Sequence, residues 1–155
     1  MRIRIEKIND DKQDEIVIYC KEMTPEIDAW VQQLKQKDPF RLTLSVHKGE
    51  KQVYLSLREI LFFETDSGSV YAHTPDLSFF VRQRLYELEN LLPPYFVRVS
   101  RSCIINTLHV YSIRKSISRV CQISFRHSHK EVYGSRLYSK ELFKKMEERD
   151  LYENE

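Results

Sequence analysis

Apolar and polar positions alternate along most of this chain, and the alternation gives way to a helical period at three places. Residues 2–8 (Arg-Ile-Arg-Ile-Glu-Lys-Ile) alternate strictly, as a half-buried strand does. Asn9-Asp10-Asp11 break the pattern with turn-forming residues, and 15–20 (Glu-Ile-Val-Ile-Tyr-Cys) reads as a second strand and hairpin partner. Thr24-Pro25-Glu26 then carries a capping hydroxyl, a proline for the first helical position and an acid for the first turn. Ile27, Trp30, Val31 and Leu34 fall on one face of the helix that follows, and Asp38-Pro39 ends it. Residues 1–39 thus form a ββα segment too small to fold alone, which suits a dimerisation or interaction element.

From Phe40 the pattern becomes strand-rich. Residues 41–47 and 51–56 flank Lys48-Gly49-Glu50, a hairpin turn whose glycine supplies positive φ. Residues 60–64 and 70–73 flank a second hairpin at Asp66-Ser67-Gly68-Ser69, and residues 77–83 make a further strand. Leu85, Leu88 and Leu92 mark a short helix closed by Pro93-Pro94. Residues 95–106 read as strand–turn–strand, with Phe96, Cys103 and Ile105 toward a core and Arg98, Ser100, Arg101 and Ser102 on a rim. Strands follow at 110–117 and 119–126, then a polar turn at 127–130 and a short strand at 131–133. Gly134-Ser135 opens a last helix with Tyr138, Leu142 and Met146 on one face, and residues 150–155 fray. The fold class expected is mostly β with α (α+β), with residues 40–149 as the main domain.

Composition narrows the classes. An apolar share of 41% with 31% charged residues describes a globular chain with a real core. No run of about 18 apolar residues is present, so no membrane span is expected. The opening residues lack a signal peptide's apolar core. Cys20, Cys103 and Cys121 are far apart and odd in number, which suits a reducing cytoplasm rather than a disulfide framework. Three glycines are too few for phosphate-binding glycine loops.

Charge changes the picture more. Residues 95–140 carry nine Lys/Arg against Glu131 alone, a net +8, whereas residues 1–38, 39–94 and 141–155 carry −2, −1 and −3. Such a block is the footprint of a polyanion-binding face, and equally of a solvated basic surface. Within it, the 95–106 tip gathers guanidiniums and hydroxyls, groups that seek phosphate. No catalytic constellation competes. His127-x-His129 supplies two metal ligands without a placed third, and Cys103 lies in an apolar run that buries a thiol. No enzyme, cofactor, metal or small-molecule substrate is expected. The rival reading is a protein-interaction module whose basic face meets an acidic partner.

Four stretches carry a resemblance. Ile60-Leu-Phe-Phe-Glu64, Leu85-Tyr-Glu-Leu-Glu-Asn-Leu-Leu-Pro93, Tyr95 through Asn106, and Ser135-Arg136-Leu137-Tyr138 stand in order over residues of about 41–148. They resemble, respectively, the Ile-x-Tyr-Ile-Glu strand, the Leu-x-x-Leu-Glu-x-x-Leu-Pro helix, the Phe-x-Arg-x-His-Arg-Ser-x-x-Val-Asn signature and the Ser-Arg-x-Tyr helix start of LytTR-type DNA-binding domains. Two departures stand out: Ser100 replaces the usual His, and the Asp66–Ser69 loop is short.

The resemblance implies an antiparallel β-hairpin module that reads double-stranded DNA with loops and regulates transcription. It implies a stand-alone regulator, since the first forty residues do not look like a phosphoacceptor receiver. Arg101 is then the leading base-edge or minor-groove contact, because its fork can be bidentate. Arg98 is open between phosphate and an ion pair with Glu64 or Glu89. Ser100 and Ser102 suit phosphate, Ser102 equally the turn backbone, and Asn106 the capping of the next turn. Ser67 and Ser69 are the loop's candidates. Ser135 caps the last helix, and Arg136 opposes that helix's dipole, which points to DNA. Lys140 is open between phosphate and solvent, and Lys115, Arg119 and Lys130 add general attraction. The family favours homodimers on paired or repeated half-sites and allows control by a neighbouring membrane protein.

Overall fold

The computed structural model of the chain describes residues 16–36 and 43–150. The chain divides into two compact units, Met1–Gln36 and Lys37–Glu155. In the first, helix α1 (Pro25–Gln36) starts as expected, with Thr24 Oγ1 accepting the Ile27 N–H at 3.3 Å. The strand expected at 2–8 lies outside the described residues. Residues 16–20, expected to pair with it, form neither strand nor helix. A run of Ile-Val-Ile-Tyr has the composition of a strand, but a strand exists only through its pairing.

The second unit is built from two antiparallel sheets. Its strands are β1 (Thr43–Lys48), β2 (Lys51–Ser56), β3 (Phe62–Asp66), β4 (Ser69–His73), β5 (Ser78–Val81), β6 (Phe96–Ser100), β7 (Cys103–Asn106), β8 (Val110–Lys115), β9 (Cys121–Phe125) and β10 (Glu131–Gly134). The larger sheet runs β2-β1-β5-β4-β3-β7-β6 and the smaller β10-β9-β8. Helix α2 (Leu85–Leu91) links β5 to β6, and α3 (Ser139–Glu148) follows β10 after a 3-10 turn at Arg136–Tyr138. Among the described residues no helix is long and apolar enough to cross a membrane.

Both faces of the large sheet's centre are buried, which a simple in–out alternation does not anticipate. On one face Val46, Val70, Ala72, Phe79, Val81, Phe63, Phe96 and Ile104 pack with Leu85 and Leu88 of α2. On the other, Phe62, Val97, Val99, Cys103 and Ile105 pack with Cys121, Ile123, Phe125 and Val132 of the small sheet and Leu142 of α3. Phe62 and Phe125 stack across this seam with centroids 5.3 Å apart. Strand β7 is therefore buried at all four positions, Ile104 included. Asn106 engages both ends of its buried amide: Nδ2 donates to Ile60 O and Oδ1 accepts the Leu108 N–H, both at 3.0 Å. That caps the turn after β7, as its sequence position suggests.

Candidate nucleic-acid interface

Register places the candidate residues at one end of the strands. Glu64 pairs with Cys103, so the β3–β4 turn and the β6–β7 turn lie side by side. The Thr65 N–H donates to Ser102 O at 2.8 Å and joins them. Val70 pairs with Val81, which brings the end of β5 to the same row. On the other flank the Ser135 N–H donates to Val99 O at 2.7 Å, setting the start of the last helical segment against the edge strand β6. Ser67, Ser69, Ser100, Arg101, Ser102, Ser135 and Arg136 thus share one end of the molecule. From β5 to β6 the row spans four interstrand steps of about 4.8 Å, roughly 19 Å.

Arg101 and Ser102 occupy the two central positions of the β6–β7 turn, between the paired Ser100 and Cys103. A bulge between Arg98 and Ser100 precedes it and re-aims the strand end. Arg101 is exposed, and its guanidinium has no hydrogen-bond or ion-pair partner among the described residues. Ser100 Oγ accepts the Ser102 N–H at 3.2 Å and lies 3.3 Å from Ser102 Oγ, so the hydroxyls also brace the turn.

Of the two roles open to Arg98, the ion pair is the one formed. Its Nη1 meets Glu89 Oε1 of α2 at 3.2 Å. Its Nε donates to Ser100 O at 2.8 Å, and Nη2 donates to Arg101 O. Each of the three guanidinium nitrogens is engaged, and the side chain is only 19% exposed. Arg98 ties the turn to α2 from behind.

The β3–β4 turn has Ser67 and Gly68 at φ of 50° and 83°. Paired positive φ at two central residues is the tight hairpin turn that matches strand twist. Ser67 Oγ donates to Asp66 Oδ1 at 3.1 Å. Ser69 lies inside β4, one step back from the tip.

Ser135 differs from expectation. It precedes the 3-10 turn, but its side chain makes no capping hydrogen bond. The tight first turn orients the backbone differently from an α-helical start, and the hydroxyl has no partner among the described residues. Arg136 is exposed at that turn, and Lys140 is exposed on α3. Neither side chain has a partner among the described residues.

Lys130 is structural rather than a general cation. Its Nζ donates to Leu77 O at 2.7 Å and to His73 Nδ1 at 3.2 Å. His73 Nε2 in turn lies 2.8 Å from Glu64 Oε1. Burial, then the Lys130 charge, brings the His73 pKa down to about 4. The neutral ring therefore accepts from Lys130 at Nδ1, while Nε2 lies beside the Glu64 carboxyl without forming a hydrogen bond to it. Burial, then Asp66, raises the Glu64 carboxyl. Burial likewise pushes the Cys103 thiol far up, so it packs as a neutral group. Lys115 lies 4.4 Å over the Phe143 ring, which leaves Arg119, at φ 62° in the β8–β9 turn, as the exposed cation of that loop.

Two residues at this end escaped the sequence reading: Arg82 and Arg84, just beyond β5. Arg82 is exposed, and Arg84 Nη1 donates to Gly68 O at 3.1 Å. Arg84 stands at the cap position of α2, a cation at a helix start like Arg136. The same dipole argument would have found it.

Comparisons with known proteins agree with this geometry. The family profile described as LytTr DNA-binding domain matches residues 50–147. An uncharacterized HTH-type transcriptional regulator of Staphylococcus aureus strain NCTC 8325 is 28% identical over 94 residues, 60% of this chain and 63% of that protein. Its counterpart in strain MRSA252 is 27% identical over the same shares. The match thus spans less than two thirds of those relatives' length. A solved LytTr DNA-binding domain of a methyl-accepting/DNA response regulator from Bacillus cereus has a similar fold, with a TM-score of 0.63 at 21% identity, covering 67% of this chain and 95% of that one. The profile falls within the two-sheet unit, and the chain belongs to the LytTR family of DNA-binding domains.

Proposed function

We propose that this protein is a transcriptional regulator that binds double-stranded DNA in a sequence-specific manner through its strand-end turns, with no recognition helix. The observation that carries the reading is the gathering of two cationic turns and a hydroxyl-rich one at one end of a rigid, doubly buried sheet. Arg101 heads the β6–β7 turn with its guanidinium unpartnered among the described residues, and its planar fork suits two acceptors on a base edge. Arg136 is the second base-reading candidate. Ser100, Ser102, Ser135 and Lys140 suit phosphate oxygens on either side. In the Ser67–Ser69 turn, Asp66 repels phosphate, so that turn meets base edges rather than backbone. Arg98 acts from behind, holding the Arg101 turn in place.

The reading extends to a cytoplasmic protein acting as a homodimer on paired or repeated half-sites, with residues 1–39 as the self-association element. A neighbouring membrane protein is a natural source of control, because no sensor motif stands in this sequence. Selection of bound sequences from a random duplex pool, followed by salt titration on the winner, tests the core of the proposal. A repeated motif should emerge, with a log–log salt slope near −5 if about six phosphates are neutralised. Failure to enrich any sequence would overturn it and favour a protein-interaction module. Sizing with and without DNA tests the dimer, which a monomer under all conditions would exclude.

A further inference from the structure

We propose that Arg82 and Arg84 form a phosphate-binding site for duplex DNA on the flank of the β3–β4 turn, opposite the Arg136 side. This rests on the DNA-binding reading above and extends its footprint to a segment with no counterpart in the +8 block. Three observations carry it. Strand register puts Val81 beside Val70, so the residues after Val81 emerge next to Ser69 and the Ser67–Gly68 tip. Arg82 is exposed there, and its side chain has no partner among the described residues. Arg84 reaches across to Gly68 O at 3.1 Å through Nη1 alone. A shallow groove lined by Gly68, Ser69, Phe80, Arg82, Gln83 and Arg84 lies between them.

The two arginines divide the work. Arg82 supplies a contact to a phosphate oxygen. Arg84 positions the Ser67–Gly68 turn through the bond to Gly68 O and presents its remaining N–H groups along the groove. At the other flank, Arg136 and Lys140 stand beyond β6. The turns between are therefore bracketed by cations, as a groove-entering tip between two phosphate strands requires.

The test uses the full chain and the duplex selected by the wild-type protein, with Kd measured from low to moderate salt for wild type, Arg82→Ala and Arg82→Lys. Loss of one phosphate contact makes the log–log salt slope shallower by about 0.9, so the wild-type advantage shrinks about 3.5-fold over a fourfold rise in salt. Arg82→Ala should show that change with an unaltered ratio of specific to non-specific binding, and Arg82→Lys should retain the wild-type slope. The Arg82 side chain has no partner to lose among the described residues, so thermal unfolding should be unchanged. A slope for Arg82→Ala equal to that of the wild type would overturn the site. Absence of duplex binding by the wild-type chain is a separate result, which would remove the DNA-binding function itself.

Discussion

The Ser135 backbone N–H donates to the Val99 carbonyl at 2.7 Å, and this bond brings the end of the small sheet to the edge of the large one. Val99 is the extra residue of the β6 bulge, so its carbonyl is released from regular pairing with β7. Together with the shared core of Leu142, Val97 and Val99, that bond makes the Arg136 segment and the Arg101 turn neighbours, though 34 residues of chain lie between them.

Gly134 lies at this junction, and its size matters more than its flexibility. A Cβ there would sit 3.4 Å from Val99 O and 3.5 Å from Val99 Cβ, ordinary contact distances. Gly134→Ala should therefore be nearly neutral. Gly134→Val pushes branches into Val99 and should destabilise by about 1–3 kcal/mol. Urea unfolding of the two variants checks the difference, and equal losses would contradict the close approach.

Arg98→Ala removes an ion pair and two bonds to the turn carbonyls together. DNA affinity should fall because the Arg101 turn loosens, while the salt slope stays at the wild-type value because Arg98 neutralises no phosphate. A shallower slope in the same titration would instead assign Arg98 to the DNA backbone.

Asn106→Ala strands the Ile60 carbonyl in the core and the Leu108 N–H in a part-buried place. Each unsatisfied group costs roughly 1–3 kcal/mol, so a loss of several kcal/mol is expected in denaturant unfolding. A loss under about 1 kcal/mol would mean that the amide is dispensable.

His73 gives the fold a pH dependence with a definite sign. Its folded pKa, about 4, lies below the ordinary 6.5, so the folded state resists protonation. The stability contribution is complete above pH 6.5 and is lost as pH falls from there toward 4. Glu64, whose carboxyl is raised, responds in the opposite sense, so the His73 component is read as a difference. Melting temperature should fall across this window for the wild type and fall less for His73→Phe. Parallel curves would contradict the buried neutral ring.

Much of the unit was legible because local signals agreed with global ones. Leu85, Leu88 and the prolines after them defined α2, and the Gly49 and Gly68 turns fixed two hairpins. What was not legible depended on tertiary partners. Ile104 sits on the rim register by alternation, yet α2 covers that face as the small sheet covers the other. The Leu57–Glu59 3-10 turn, closed by the Ser56 N–H to Glu59, has no period to betray it. Lys130 looks like a free cation in sequence, and only the fold supplies the His73 ring and the Leu77 carbonyl that engage it; for Arg98 the sequence left phosphate, Glu64 and Glu89 open, and the fold forms the Glu89 pair. Arg82 and Arg84 lie outside the basic block, and register alone brings them to its end.

The most direct measurement of the central claim is the affinity of Arg101→Ala and Arg136→Ala for the selected duplex and for a scrambled one. If these side chains read bases from the strand-end turns, each folded variant should lose about 1–3 kcal/mol on the selected duplex and much less on the scrambled one. Wild-type affinity and discrimination in both folded variants would contradict the account.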